Sequence, residues 1–136
     1  MPKLEEIRFI SNAEHLADVR NRVRETIQWL GFTPEALNCV VLAVNEACMN
    51  VIQHAYGPNH SGEVILEIFD DGRETVFRLT DFAPPVDKTK IRSRDLDDIR
   101  PGGLGVHLIN EVMDDVDFRN DPEGIGNVLV MKKRRS

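Results

Sequence analysis

The chain has 136 residues, enough for one domain that buries roughly two thirds of its unfolded surface. Hydrophobic residues make up 41% and charged residues 29%, a globular balance, and no run of about 18 apolar residues is present to cross a membrane. A net charge of −6 argues against a broad nucleic-acid surface, because phosphate contacts need clustered Lys and Arg.

Residues 1–136 are read as a single domain. LEEIRFI (4–10) reads as a first strand. Ser11 or Asn12 caps a helix over about 13–30, with Glu14 near its start and Gly31 past its end. Thr33-Pro34 opens a second helix, with proline in the first turn where its missing N–H is harmless. That helix runs to about Ala55 and stops before Gly57-Pro58. GEVILEIFDDG (62–72) alternates as a strand, with Val64, Leu66 and Ile68 on one side and Glu63, Ile65 and Glu67 on the other. Asp71-Gly72 signals a hairpin, and ETVFRLTD (74–81) is the returning strand. Residues 82–104 form an irregular stretch, proline-rich at 84–85 and charged from 87 to 100, with the length of a functional lid. A helix over 105–114 and strands near 115–119 and 127–133 close the chain. The order β, α, α, β, β, α, β, β predicts a two-layer α/β (α+β) sandwich: a mixed, mostly antiparallel sheet with helices on one face.

The start, MPKLEEIRFI, has no apolar signal core. Cys39 and Cys48 sit about 13 Å apart along one predicted helix, too far for a disulfide. Both are expected to be buried thiols in a reducing compartment, so the cytoplasm is the expected location. Arg20, Arg22 and Arg24 are expected to face water or to serve a partner, and the run Lys132-Lys133-Arg134-Arg135 to be a solvated end or to contact an acidic partner.

In the second helix, Leu37, Val41, Val44, Cys48, Val51, Ile52 and Ala55 share an apolar face. Glu46 lies nearly opposite, Asn50 is beside it, and His54 follows one turn later. Cys39, Ala43 and Ala47 flank this polar stripe and leave room beside it. The stripe is either a solvated helix face or a carboxylate base with an amide oxygen that joins a Mg²⁺ shell. His54 and His60, six apart across a Gly-Pro turn, do not suit zinc.

Gly102-Gly103-Leu104-Gly105 runs into Val106-His107-Leu108. Glycines let backbone N–H groups converge, and a helix N-terminus adds about half a positive charge. The segment is therefore an anion site or a tight connection. It is not a Walker A loop, since GxxxxGK[ST] is absent, nor a dinucleotide fingerprint, since it follows a charged loop. Asp81, at a strand end, is either a turn-initiating residue or an acceptor for an exocyclic amine such as that of adenine.

Together and in this order, three segments resemble the boxes of the GHKL-type ATPase domain. VNEACMNVIQHAYG (44–57) is similar to the asparagine box, LTDFAPPVD (79–87) to the first glycine box, and PGGLGVHLINEVMDDVDF (101–118) to the second. More narrowly they look like the small stand-alone anti-sigma factor serine/threonine kinases of bacterial partner-switching systems, of which IGNVLVMKK (125–133) is also typical. The resemblance covers essentially the whole chain and implies the histidine-kinase-like (Bergerat) ATPase fold. By position it implies Glu46 as general base, Asn50 as a nucleotide-binding residue giving an oxygen to Mg²⁺, and Asp81 as acceptor of the adenine amine. Gly103, Leu104, Gly105 and Val106 would border the phosphates, residues 88–104 would be the ATP lid, and Ala83 and His54 fall at further nucleotide-box positions. The implied cofactors are ATP and Mg²⁺. The implied reaction is phosphorylation of a serine or threonine on a STAS-type anti-sigma-factor antagonist. The same protein would sequester a sigma factor, as a homodimer without direct nucleic-acid or membrane contact. The alternative function is a non-catalytic, nucleotide-gated partner-binding switch. One position departs from the pattern: the family's Asp-x-Gly is Asp81-Phe82-Ala83 here. The extra methyl predicts that adenine binding is less secure than phosphate binding.

Overall fold

Alternating apolar segments form five strands in the computed structural model, which describes residues 1–56, 62–83, 101–120 and 126–135, with backbone alone at 54–56, 101–106 and 120. The strands are β1 (Lys3–Ile10), β2 (Glu63–Asp70), β3 (Glu74–Asp81), β4 (Asp115–Asn120) and β5 (Asn127–Arg134). They lie in the order β1-β2-β3-β5-β4. Every pairing among the described residues is antiparallel, so the sheet is simpler than the mixed one expected.

Directly paired residues share a face of a sheet. Ile7, Leu66 and Leu79 align across three strands, and Ile68, Phe77 and Met131 align across three. All are buried in one cluster with Leu16, Val19, Val23 and Ile27 of α1 (Leu16–Ile27) and Val40, Val41, Val44 and Cys48 of α2 (Pro34–Asn50). Ile109 of α3 (Pro101–Val112) joins them, so the helices cover one face and the two-layer expectation holds. The opposite face carries charge: Arg78 grips both oxygens of Glu67 at 2.9 and 3.0 Å, and Lys3 adds a contact at 3.0 Å.

Local signals explain the element ends. Asn12 Oδ1 accepts from Glu14 N at 3.0 Å and opens a 3₁₀ turn, Ala13–His15. Ser11 instead extends the β1–β2 pairing through Gly62, giving N–H to its carbonyl at 2.9 Å and accepting at Oγ at 3.0 Å. α1 ends at Ile27, earlier than expected, and Gly31 turns the chain at φ 101°. Thr33 Oγ1 caps α2 by accepting from Ala36 N at 3.1 Å, with Pro34 in the first turn. Gly72 sits at φ 95° in the β2–β3 hairpin. There Asp71 Oδ1 accepts from Glu74 N and Arg73 N, which hold its carboxyl below the usual range.

Several side chains depart from expectation. Cys39 is exposed because it lies off the apolar stripe of α2, while burial pushes the Cys48 thiol up to about 12. Arg20 donates to Asn45 Oδ1 at 3.0 Å and Arg24 to Asn38 Oδ1 at 2.8 Å, so both tie α1 to α2 rather than only facing water. Arg22 pairs with Glu5 at 3.3 Å. Lys132, Lys133 and Arg134 end β5, and Arg135 just beyond it pairs with Asp70 and donates to Gly72 O at 3.0 Å, closing the sheet on the hairpin. Pro34–Gln53 is long and apolar enough to cross a bilayer, but its valines fill this core.

Candidate active site

α2 places Glu46 and Asn50 one turn apart, both half-buried. Glu46 Oε2 and Asn50 Oδ1 are buried oxygens with no hydrogen-bond partner among the described residues. Each such oxygen is unfavourable by about 1–3 kcal/mol, so two on one stripe call for a ligand's donors or a cation. Burial raises the Glu46 carboxyl above its usual range. The pair fits Mg²⁺, which prefers oxygen and is held by few protein ligands plus phosphates. A richer cluster of His, Cys, Asp and Glu is absent among the described residues. Ala43 and Ala47, expected to leave room beside the stripe, are buried in the core. Directly after Asn50 the helix widens into a π-turn, Val51–Tyr56, a distortion frequent at functional sites. His54 lies in that turn, with its side chain outside the described residues, as is His60.

Asp81 ends β3 on the helix-covered side and is 3% exposed. Two donors meet at its Oδ1: Ala83 N at 3.0 Å and Asn127 Nδ2 at 2.9 Å. Burial raises its carboxyl, and these two bonds partly oppose the rise. Ala83 is buried, and no non-glycine residue among those described has positive φ, so alanine here carries no backbone strain. Asn127 and Gly126 were not anticipated. A Cβ on Gly126 would fall 2.0 Å from Asp81 O, so only glycine permits this approach. The available signal was a glycine and an amide at the mouth of the closing strand, but their register against Asp81 is a tertiary fact.

The third segment begins sooner than expected. α3 starts at Pro101 rather than at 105, because proline's fixed φ suits a first helical position and the glycines continue the helix. Gly103, Leu104, Gly105 and Val106 all lie in its first half, with side chains outside the described residues. The first N–H groups of a helix have no partner within it, so Gly102, Gly103 and Leu104 present donors that α3 itself does not use. α3 packs along α2, and α2 also touches β3. The three segments singled out in the sequence thus belong to neighbouring elements. Residues 84–100, most of the expected lid, lie outside the described residues.

The profile of the histidine kinase-like ATPase domain matches residues 9–133. The chain belongs to this family. Within it, the chain groups with serine-protein kinases. The serine-protein kinase RsbW of Halalkalibacterium halodurans is 31% identical over 97% of this chain and 83% of its own length. That of Bacillus subtilis is 27% identical over 85% of this chain and 77% of its own. Among solved structures, the RsbU and RsbW domains of a Mycobacterium tuberculosis protein align with a TM-score of 0.69 at 15% identity, over 98% of this chain and 32% of that one. The mycobacterial sensor histidine kinase MprB aligns at 0.58 with 14% identity, over 96% of each chain. At such identities the structural likeness establishes the histidine-kinase-like ATPase fold, and the family match establishes an ATP-binding domain.

Proposed function

We propose that this chain is an ATP-dependent protein kinase that phosphorylates a serine or threonine on a STAS-type anti-sigma-factor antagonist and sequesters a sigma factor. The observation that carries the catalytic half is the pair of oxygens on α2 left without a partner among the described residues. A purely partner-binding module has no use for them, and relatives over most of the chain are named serine-protein kinases. The protein works in the cytoplasm as a homodimer.

Phosphoryl transfer depends on alignment and charge neutralisation more than on a strong base. Glu46 accepts the proton of the attacking hydroxyl, and its burial moves the carboxyl toward the pH at which it works. Asn50 Oδ1 would hold Mg²⁺, which would supply neutralisation of the phosphates' charge. Gly103, Leu104, Gly105 and Val106, at the start of α3, border those phosphates on backbone donors. Asp81 accepts the adenine amine, Ala83 packs beside it, and His54 lies one turn beyond Asn50.

Replacing Glu46 by Ala should lower phosphotransfer about 100-fold or more while ATP affinity changes little. Transfer of label from radiolabelled ATP to the antagonist, alongside a nucleotide titration, measures both. Undiminished transfer by Glu46→Ala removes the base assignment.

A further inference from the structure

Asn127 has no role in the reading above. It stands opposite Asp81 in the β3–β5 register and is 1% exposed, so both side chains leave the sheet on one side. Its Nδ2 donates to Asp81 Oδ1 at 2.9 Å and reaches Ala83 O at 3.5 Å. Ala83 N closes the ring by donating to the same Oδ1. One amide therefore holds both the carboxylate and the peptide that stands where the family carries glycine. Gly126, beside it, lets β5 come close enough to do so.

We propose that Asn127 is the positioning residue that makes this site select adenine over guanine, by holding Asp81 as a hydrogen-bond acceptor. The proposal rests on the reading of Asp81 as the adenine contact. Adenine offers an exocyclic amine where guanine offers a carbonyl. An ionised carboxylate accepts from the amine and repels the carbonyl, whereas a protonated carboxyl can donate to the carbonyl. Donors to Oδ1 favour the ionised form. The neighbours of Asp81 offer no other help. Val64, its partner on β2, is apolar, and Glu46 on α2, which packs against β3, is itself shifted by burial alone. On α3, His107 and Glu111 are exposed. Among the described residues no charged side chain acts on Asp81, so Asn127 and Ala83 N alone counter its burial.

The test titrates the full chain with Mg-ATP and Mg-GTP by calorimetry from mildly acidic to neutral pH. Asn127→Ala should weaken ATP about tenfold at neutral pH, move the acid limb of ATP binding to higher pH, and lower the ATP-to-GTP preference. Asn127→Ser, which keeps a donor, should fall between, and it is read the same way if the alanine variant does not fold. Preference and acid limb unchanged from wild type would overturn the proposal. So would equal losses of ATP and GTP with an unmoved limb, which mark a structural role only. A wild-type protein that binds both nucleotides alike, unaffected by Asp81→Asn, would instead sink the adenine reading and this proposal with it.

Discussion

The Asp81 carboxyl is almost fully buried, accepts two hydrogen bonds at one oxygen, and still titrates above its usual range because burial outweighs the bonds. A raised carboxyl in the folded state means that folding holds the proton better than the unfolded chain does. Its contribution to stability is present at acid pH and is lost as pH rises through the folded value. Above that value the charge is therefore a burden on the fold, kept for a ligand. Asparagine at 81 retains an oxygen for Ala83 N and Asn127 Nδ2 and removes the charge. Asp81→Asn should melt above wild type at neutral pH, with the gap closing toward acid pH, and should lose ATP affinity by about tenfold or more. Thermal melts at two pH values and a nucleotide titration decide the point. A lower melting temperature at neutral pH would mark the carboxylate as structural.

The strand pair β3–β5 is where one element sets another's chemistry. Gly126 lies against the Asp81–Phe82 backbone, and a methyl there would sit 2.0 Å from Asp81 O and 2.9 Å from Phe82 Cα. Both neighbours are backbone, so neither can swing aside. Gly126→Ala should destabilise the fold by about 1–3 kcal/mol and weaken nucleotide binding as the end of β3 is pushed away. Urea unfolding measures the first effect. A variant with wild-type stability would show that β5 can shift without disturbing Asp81. This contact also marks what the sequence could not reveal. Thr33-Pro34, Asn12 and Asp71-Gly72 announce their elements because each cap or turn is closed within about three residues. Val64, Leu66 and Ile68 announce a buried face by alternation alone. The approach of Gly126 to Asp81 joins segments 45 positions apart and depends on register. The π-turn after Asn50 is likewise not carried by local pattern, whereas the start of α3 at Pro101 follows proline's preference for a first helical position, a signal the sequence does hold. Glu46, Asn50 and Asp81 were legible as candidates because polar groups stand out on apolar elements. Asn127 was not, since an isolated amide at a strand start looks like any other.

Across the whole molecule, the candidate site draws on α2, the end of β3 and the start of α3, elements that also share the core. A ligand touching all three stabilises the fold by mass action, by about 2.7 kcal/mol at 100 times its dissociation constant. For a chain of this size that is a rise in melting temperature on the order of 10 °C. Asn50 separates the metal's share from the nucleotide's. Its Oδ1 is buried without a partner among the described residues, so removing it sheds a desolvated oxygen as well as a ligand atom. Asn50→Ala should therefore leave the unliganded protein no less stable than wild type. With ATP alone it should gain as wild type does. The additional gain on adding Mg²⁺ should vanish. Scanning calorimetry with no ligand, with ATP and chelator, and with ATP and Mg²⁺ separates the three states. A magnesium increment that survives Asn50→Ala would move the metal contact to another oxygen and leave the α2 stripe without the role that best explains its unpartnered atoms.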